Sequence, residues 1–251
     1  MAILAARDDQ RRDTTPRPTL VCVPHAGGSA TSFGRWVSRM RVAGVEVRPV
    51  QWGTASGQAL PAANERPIGS VESRAAELAE AVGQLVDNWV LLGHSLGGII
   101  AYETVRLLEA AGGTLPNRLV LCGAAAPGHH LTFGRGLSRA PDEEIVRYLR
   151  GLGGMPDELL GNPTILAPML AQIRCELGML EEYEPRVGEP IRVPVSLYVG
   201  RDDQVTVGAV ERWRPRLAEV TVHRFDGGHF FLHDDLPVFW HVLTEECLAD
   251  G

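Results

Sequence analysis

The chain has 251 residues, 45% of them hydrophobic and 22% charged, which is enough apolar content for a sizeable core in one large domain. A formal net charge of -7, with arginines scattered rather than gathered in a stripe, excludes the electrostatic footprint of a nucleic-acid-binding protein. No apolar run approaches membrane-spanning length, and the apolar start is too short for a signal peptide and carries its charge after it, so a cytoplasmic, non-membrane protein is expected. Cys22, Cys122, Cys175 and Cys247 lie far apart, without metal-ligand or redox spacing, and read as reduced thiols, most of them buried.

Residues 7–18 carry charge and proline with nothing apolar to bury, so 1–18 is expected to be a flexible leader and 19–251 a single domain. Residues 20–23 form a short apolar strand that runs into Pro24-His25-Ala26-Gly27-Gly28-Ser29, a glycine-bearing loop before an amphipathic segment at 33–40. A second strand is predicted at 45–50. Residues 51–70, rich in Gly, Ala and Pro without a period, read as a long surface loop. Ser70 then caps a predicted helix in which Val71, Ala75, Leu78, Val82 and Leu85 recur at helical spacing. A strand at 89–93, a helix from Leu96 to about Ala111 closed by Gly112-Gly113, and a strand at 118–123 follow.

The alternation breaks between Ala126 and Pro190, where two helical stretches and no strand are predicted. Residues 127–190 are therefore expected to be a helical insertion, either a lid over an acyl-binding channel or two further core helices. A strand at 193–199 ends at Gly200-Arg201-Asp202-Asp203. A helix at 207–217, a strand at 220–225 ending at Asp226-Gly227-Gly228-His229, and an apolar-faced helix bearing Phe239, Leu243 and Cys247 complete the chain. Such an α/β order predicts a mainly parallel central sheet with helices on both faces, whose reactive groups lie beyond the carboxyl ends of the strands.

Three such ends carry chemistry. Gly93-His94-Ser95-Leu96-Gly97 sits between strand and helix, the context in which a Gly-x-Ser-x-Gly pentapeptide becomes a nucleophile elbow. A serine hydroxyl needs a base to take its proton and a third group to hold that base in the right tautomer. His229 offers the base, and Asp202 or Asp203 the acid; Asp203 is preferred because it lies three residues beyond Gly200. The order Ser95, Asp203, His229 is that of an α/β-hydrolase triad. Leu96, directly after the nucleophile, and Ala26, in the first glycine-bearing loop, would donate the oxyanion-hole amides. The spacing of His25, His94, His129, His130 and His233 matches no standard metal site, so neither a metal nor a cofactor is expected.

Pro24-His25-Ala26-Gly27-Gly28-Ser29, Gly93-His94-Ser95-Leu96-Gly97-Gly98 with Ala101-Tyr102-Glu103, and Gly227-Gly228-His229-Phe230-Phe231-Leu232 together resemble the type II thioesterases of polyketide and nonribosomal peptide biosynthesis. The resemblance spans nearly the whole chain after residue 18. It implies an α/β-hydrolase fold with a mobile helical lid. It also implies an enzyme that hydrolyses acyl thioesters from the phosphopantetheine arm of an acyl or peptidyl carrier protein through an acyl-Ser95 intermediate, and a monomer is expected. The phosphopantetheine would belong to that partner.

One segment departs from the family pattern: Gln51-Trp52-Gly53-Thr54-Ala55-Ser56-Gly57 stands where a Pro-Gly-Arg segment with further charge is usual. That difference, on the substrate side, leaves open a dedicated chain-release or cyclising thioesterase. The same triad and insertion would also serve a small-molecule esterase, and the same fold could serve a non-catalytic carrier-binding protein.

Overall fold

A computed structural model of the chain describes residues 1–3, 17–52, 69–85, 88–129, 134–153, 163–206 and 208–249. Its strands are β1 (Ala2–Ile3), β2 (Thr19–Val23), β3 (Glu46–Gln51), β4 (Trp89–His94), β5 (Arg118–Cys122), β6 (Val195–Gly200) and β7 (Val220–Phe225). They form one sheet in the order β1-β3-β2-β4-β5-β6-β7, parallel throughout except for β1. Every residue of β2, β4 and β6 is buried. A parallel strand covered on both faces has no polar side to present, and their sequences are accordingly mostly apolar, broken only by buried Thr19, His94 and Ser196.

The helices are α1 (Gly34–Val42), α2 (Val71–Val82), α3 (Leu96–Ala111), α4 (Asp142–Leu152), α5 (Pro163–Glu182), α6 (Ala209–Trp213) and α7 (Pro237–Leu248). α2, α3 and α6 bury Leu78, Ile100, Val105 and Trp213 against one face of the sheet, while α1 and α7 bury Trp36, Met40, Phe239 and Leu243 against the other. Ser70 caps α2 as expected, in a reciprocal exchange in which its hydroxyl accepts from Ser73 N–H and Ser73 Oγ accepts from Ser70 N–H. A cap of this kind stabilises a helix by about 1 kcal/mol. At the far end of α3, Gly112 takes the left-handed conformation that closes the helix.

Two expectations are corrected. Ordered structure does not begin at Thr19: Ala2 and Ile3 pair antiparallel with Gln51 and Val50 at the sheet edge. The single helix expected at 207–217 is instead the short α6 followed by a 3₁₀ turn at Arg214–Arg216. Pro215 lacks the amide proton that a continuing helix would need there. Most of the expected leader, residues 53–68 of the long loop, and parts of the insertion (130–133 and 154–162) lie outside the described residues.

Among the described residues, the chain between β5 and β6 forms no strand of the sheet. Ile145 and Leu149 of α4 pack with Leu170, Ile173 and Leu177 of α5 in a small core of their own. Arg174 braces that unit, donating through Nη1 to the carbonyls of Ser138 (2.8 Å) and Ala140 (2.6 Å). Just past the end of α5, Tyr183 joins the main core and its hydroxyl donates to buried Glu103 of α3. The insertion is thus a helical pair with a core of its own, joined to the main core through Tyr183.

Candidate active site

β4 ends at His94, and the chain turns at Ser95 into α3 with φ 56° and ψ -118°. A non-glycine residue held at positive φ stores backbone strain, which is characteristic of a nucleophile elbow. The turn is pinned by Ser95 N–H donating to the Cys122 carbonyl (2.9 Å) and Gly98 N–H donating to the Ser95 carbonyl (2.9 Å). Ser95 does not spend its hydroxyl on capping α3, so Oγ is left for chemistry. The elbow fits because position 97 lacks a side chain: a Cβ there would overlap the backbone carbonyls of Val23 and Pro24.

Two other strand ends converge on this turn. Beyond β7, His229 is almost fully buried, and its Nδ1 lies 3.0 Å from Asp203 Oδ2 beyond β6. The other Asp203 oxygen accepts from Val205 N–H (2.9 Å), so both carboxylate oxygens are held. Asp203 is buried, whereas Asp202 is exposed. The His229 ring lies over Gly123, whose added Cβ would come within 3.4 Å of Nδ1 and Cε1, and Gly123 directly follows the Cys122 that anchors Ser95. His94 Nε2 is 3.0 Å from the His229 carbonyl, tying the residue before Ser95 to the histidine itself.

The glycine-bearing loop lies beside the start of α3. Gly28 N–H donates to the His25 carbonyl (2.9 Å), closing a turn over Ala26 and Gly27, and Gly27 at φ +80° takes the position where a type II turn requires positive φ. Leu96 is the first residue of α3, where unsatisfied amides and the helix dipole favour negative charge. Of the segment that departs from the family pattern, Gln51 and Trp52 are described. The Gln51 side-chain oxygen accepts from Ala30 N–H (3.1 Å) and so holds the far end of the same loop.

The fold also assembles groups that spacing along the chain concealed. Ring nitrogens of His25, His94 and His233 lie within 4.8 Å of one another, the one cluster among the described residues able to offer a metal three ligands. His94 is already engaged, with Nε2 on the His229 carbonyl and Nδ1 3.2 Å from His25 Nδ1. Burial disfavours the charged form of all three imidazoles: it lowers His25 to about 3, with His233 and His229 adding to the effect, and it lowers His94 and, against the opposing charge of Asp234, His233 as well. A cavity of about 290 Å³ opens beside the Asp203–His229 pair, with Tyr148 and Leu152 of α4 in its wall. Burial, followed by the nearby Asp203 charge, pushes the Tyr148 hydroxyl up to about 12, so it is a neutral phenol there. Neither Tyr148 nor Leu152 had any sequence signal beyond helical spacing.

A strained serine elbow, a buried histidine–aspartate pair and a mainly parallel α/β sheet define a serine hydrolase of the α/β-hydrolase fold. More narrowly, the chain belongs to the thioesterase family, whose thioesterase-domain model matches residues 18–243. It is 31% identical over 236 residues to thioesterase PikA5 of Streptomyces venezuelae, covering 90% of this chain and 78% of that one. Among solved structures it resembles RedJ, a thioesterase from the prodiginine pathway of Streptomyces coelicolor, with TM-score 0.76, 30% identity, and coverage of 91% of this chain and 85% of RedJ. It also resembles YbtT, a type II thioesterase from the yersiniabactin NRPS/PKS pathway, with TM-score 0.75, 28% identity and 95% of each chain covered. The chain is accordingly a type II thioesterase of the kind found in such pathways.

Proposed function

We propose that this thioesterase hydrolyses acyl groups from the phosphopantetheine arm of a carrier protein, clearing stalled or wrongly loaded chains, with Ser95, His229 and Asp203 as its triad. His229 Nε2 takes the Ser95 proton as Oγ attacks the thioester carbonyl, and Asp203 holds Nδ1–H and offsets the imidazolium charge. The oxyanion is received by the amides of Ala26 and Leu96. Collapse breaks the C–S bond, and the departing thiolate takes the proton from His229. Water then attacks the acyl-Ser95 ester, giving its proton to His229, and the second collapse returns that proton to Oγ and frees the carboxylic acid. Side chains, backbone amides and water balance every step, so the reaction draws on no cofactor or metal of the enzyme's own. The buried free thiols of Cys22, Cys122 and Cys247 suit a reducing, cytoplasmic setting.

The observation that carries this reading is the buried 3.0 Å contact between His229 and Asp203 at the strand ends beside the strained Ser95 turn. The name of YbtT, which places it in an NRPS/PKS pathway, supports the carrier-bound substrate. Purified protein should release acyl groups from acylated carrier protein, and Ser95→Ala should lower that release by about 10⁴ or more. Undiminished release by Ser95→Ala refutes the assignment. Faster turnover of simple oxygen esters than of acyl-carrier thioesters would favour a small-molecule esterase.

A further inference from the structure

α5 is seated directly on the glycine-bearing loop. Glu176, buried on α5, accepts a hydrogen bond from Gly27 N–H at 2.5 Å. One turn earlier, Gln172 Nε2 is 3.3 Å from the Gly28 carbonyl and 3.3 Å from Glu176 Oε1. Between them, Ile173 lies so close to Gly27 that a Cβ there would come within 2.5 Å of its Cγ1. Three side chains of one helix face therefore hold two consecutive residues of the loop.

We propose that Glu176 is a positioning residue for catalysis: its contact with Gly27 N–H holds the oxyanion loop in its working turn. This rests on the oxyanion role assigned to Ala26 above. The physical reason lies in the turn. The peptide between Ala26 and Gly27 is its central one, and the two common forms of such a turn differ mainly by a flip of that peptide. An acceptor fixed on Gly27 N–H selects one form and so fixes the backbone around Ala26.

The surroundings of Glu176 fit an acceptor rather than a free charge. Burial raises its carboxyl pKa, opposed by the Gly27 and Gln172 hydrogen bonds and by the positive charge of Arg74 on α2. A negative charge beside a developing oxyanion brings no electrostatic benefit, so what the position needs is an oxygen lone pair. Glu176→Gln keeps one for Gly27 N–H, while Gln172 Nε2 keeps the Gly28 carbonyl as its acceptor.

The test uses full-length protein and an acyl-N-acetylcysteamine thioester, with Ser95→Ala as control. Glu176→Ala should lower kcat by about tenfold or more while KM moves by less than about threefold, and should weaken a boronic acid that mimics the tetrahedral state by a similar factor. Glu176→Gln should restore kcat to within about threefold of the unmodified protein. The Gly27 amide proton, read by NMR with glycine labelling, should move upfield in Glu176→Ala and return downfield in Glu176→Gln. The inference is overturned if kcat and boronate affinity in Glu176→Ala match the unmodified protein. It is equally overturned if Glu176→Gln is as impaired as Glu176→Ala, which would make charge the cause. Hydrolysis that survives Ser95→Ala overturns the proposed function instead, and so the two failures are distinguishable.

Discussion

Replacing Asp203 by asparagine keeps the shape of the side chain and changes only what its two terminal atoms can do. In the structure one carboxylate oxygen accepts from Val205 N–H at 2.9 Å and the other faces His229 Nδ1 at 3.0 Å. An asparagine has one acceptor and one donor for these two places. With its oxygen on Val205 N–H, its NH₂ meets His229 Nδ1 and forces the tautomer that carries the proton on Nε2, which then cannot take the Ser95 proton. The reverse orientation sets NH₂ against Val205 N–H and leaves a buried donor unpaired, costing about 1–3 kcal/mol. The unproductive orientation therefore dominates, and even the productive one has lost the charge that stabilises the imidazolium. The expected loss is about 10⁴ in kcat, equivalent to about 5 kcal/mol of transition-state stabilisation, with little change in thermal stability. Single-turnover release from acylated carrier protein measures it. Asp202→Asn, at an exposed site, should leave the rate unaltered. The reasoning is refuted if Asp203→Asn stays within about tenfold of the unmodified enzyme, or if Asp202→Asn is the more damaging change.

Gly97→Ala places a Cβ against two backbone carbonyls that no rotamer change can move. It should destabilise the protein by about 3 kcal/mol, seen as a fall of roughly 6–12 °C in Tm, and an unshifted melt would show that the elbow is looser than drawn. Stability should also fall on acidification. His25 has a folded pKa of about 3 against an ordinary 6.5, so the unfolded chain binds the proton more readily, and stability is lost as pH drops from 6.5 toward 3. Melts at pH 7 and pH 5 should show a smaller drop for His25→Phe than for the unmodified protein; equal drops would remove His25 as a source.

Strands and helices that bury whole faces were legible because their periodicity is imposed by what covers them. β4 and β6 read as mainly apolar runs, and α3 read from Leu96 to its glycine stop. The short β1 was not, since two residues at a sheet edge carry no period, and only pairing with Val50 and Gln51 reveals them. The break between α6 and the following turn was missed because the apolar spacing continues across Pro215 while the hydrogen bonding does not.

Local grammar, in which strand ends meet Gly-x-Ser-x-Gly, a paired aspartate and a Gly-Gly-His, determined from sequence alone the fold class and the candidate residues Ser95, His229 and Asp203, with Asp202 as second choice. A motif is local, and its backbone geometry is set by residues within a few positions. Burial decided the rest. Asp203, preferred over Asp202 from its place three residues beyond Gly200, faces His229 because the turn after β6 buries its side chain and exposes that of Asp202. The hold of Glu176 on Gly27 joins residues 149 positions apart. No spacing rule reaches that far, because the contact exists only where the packing of α4 and α5 sets one helix face on the loop.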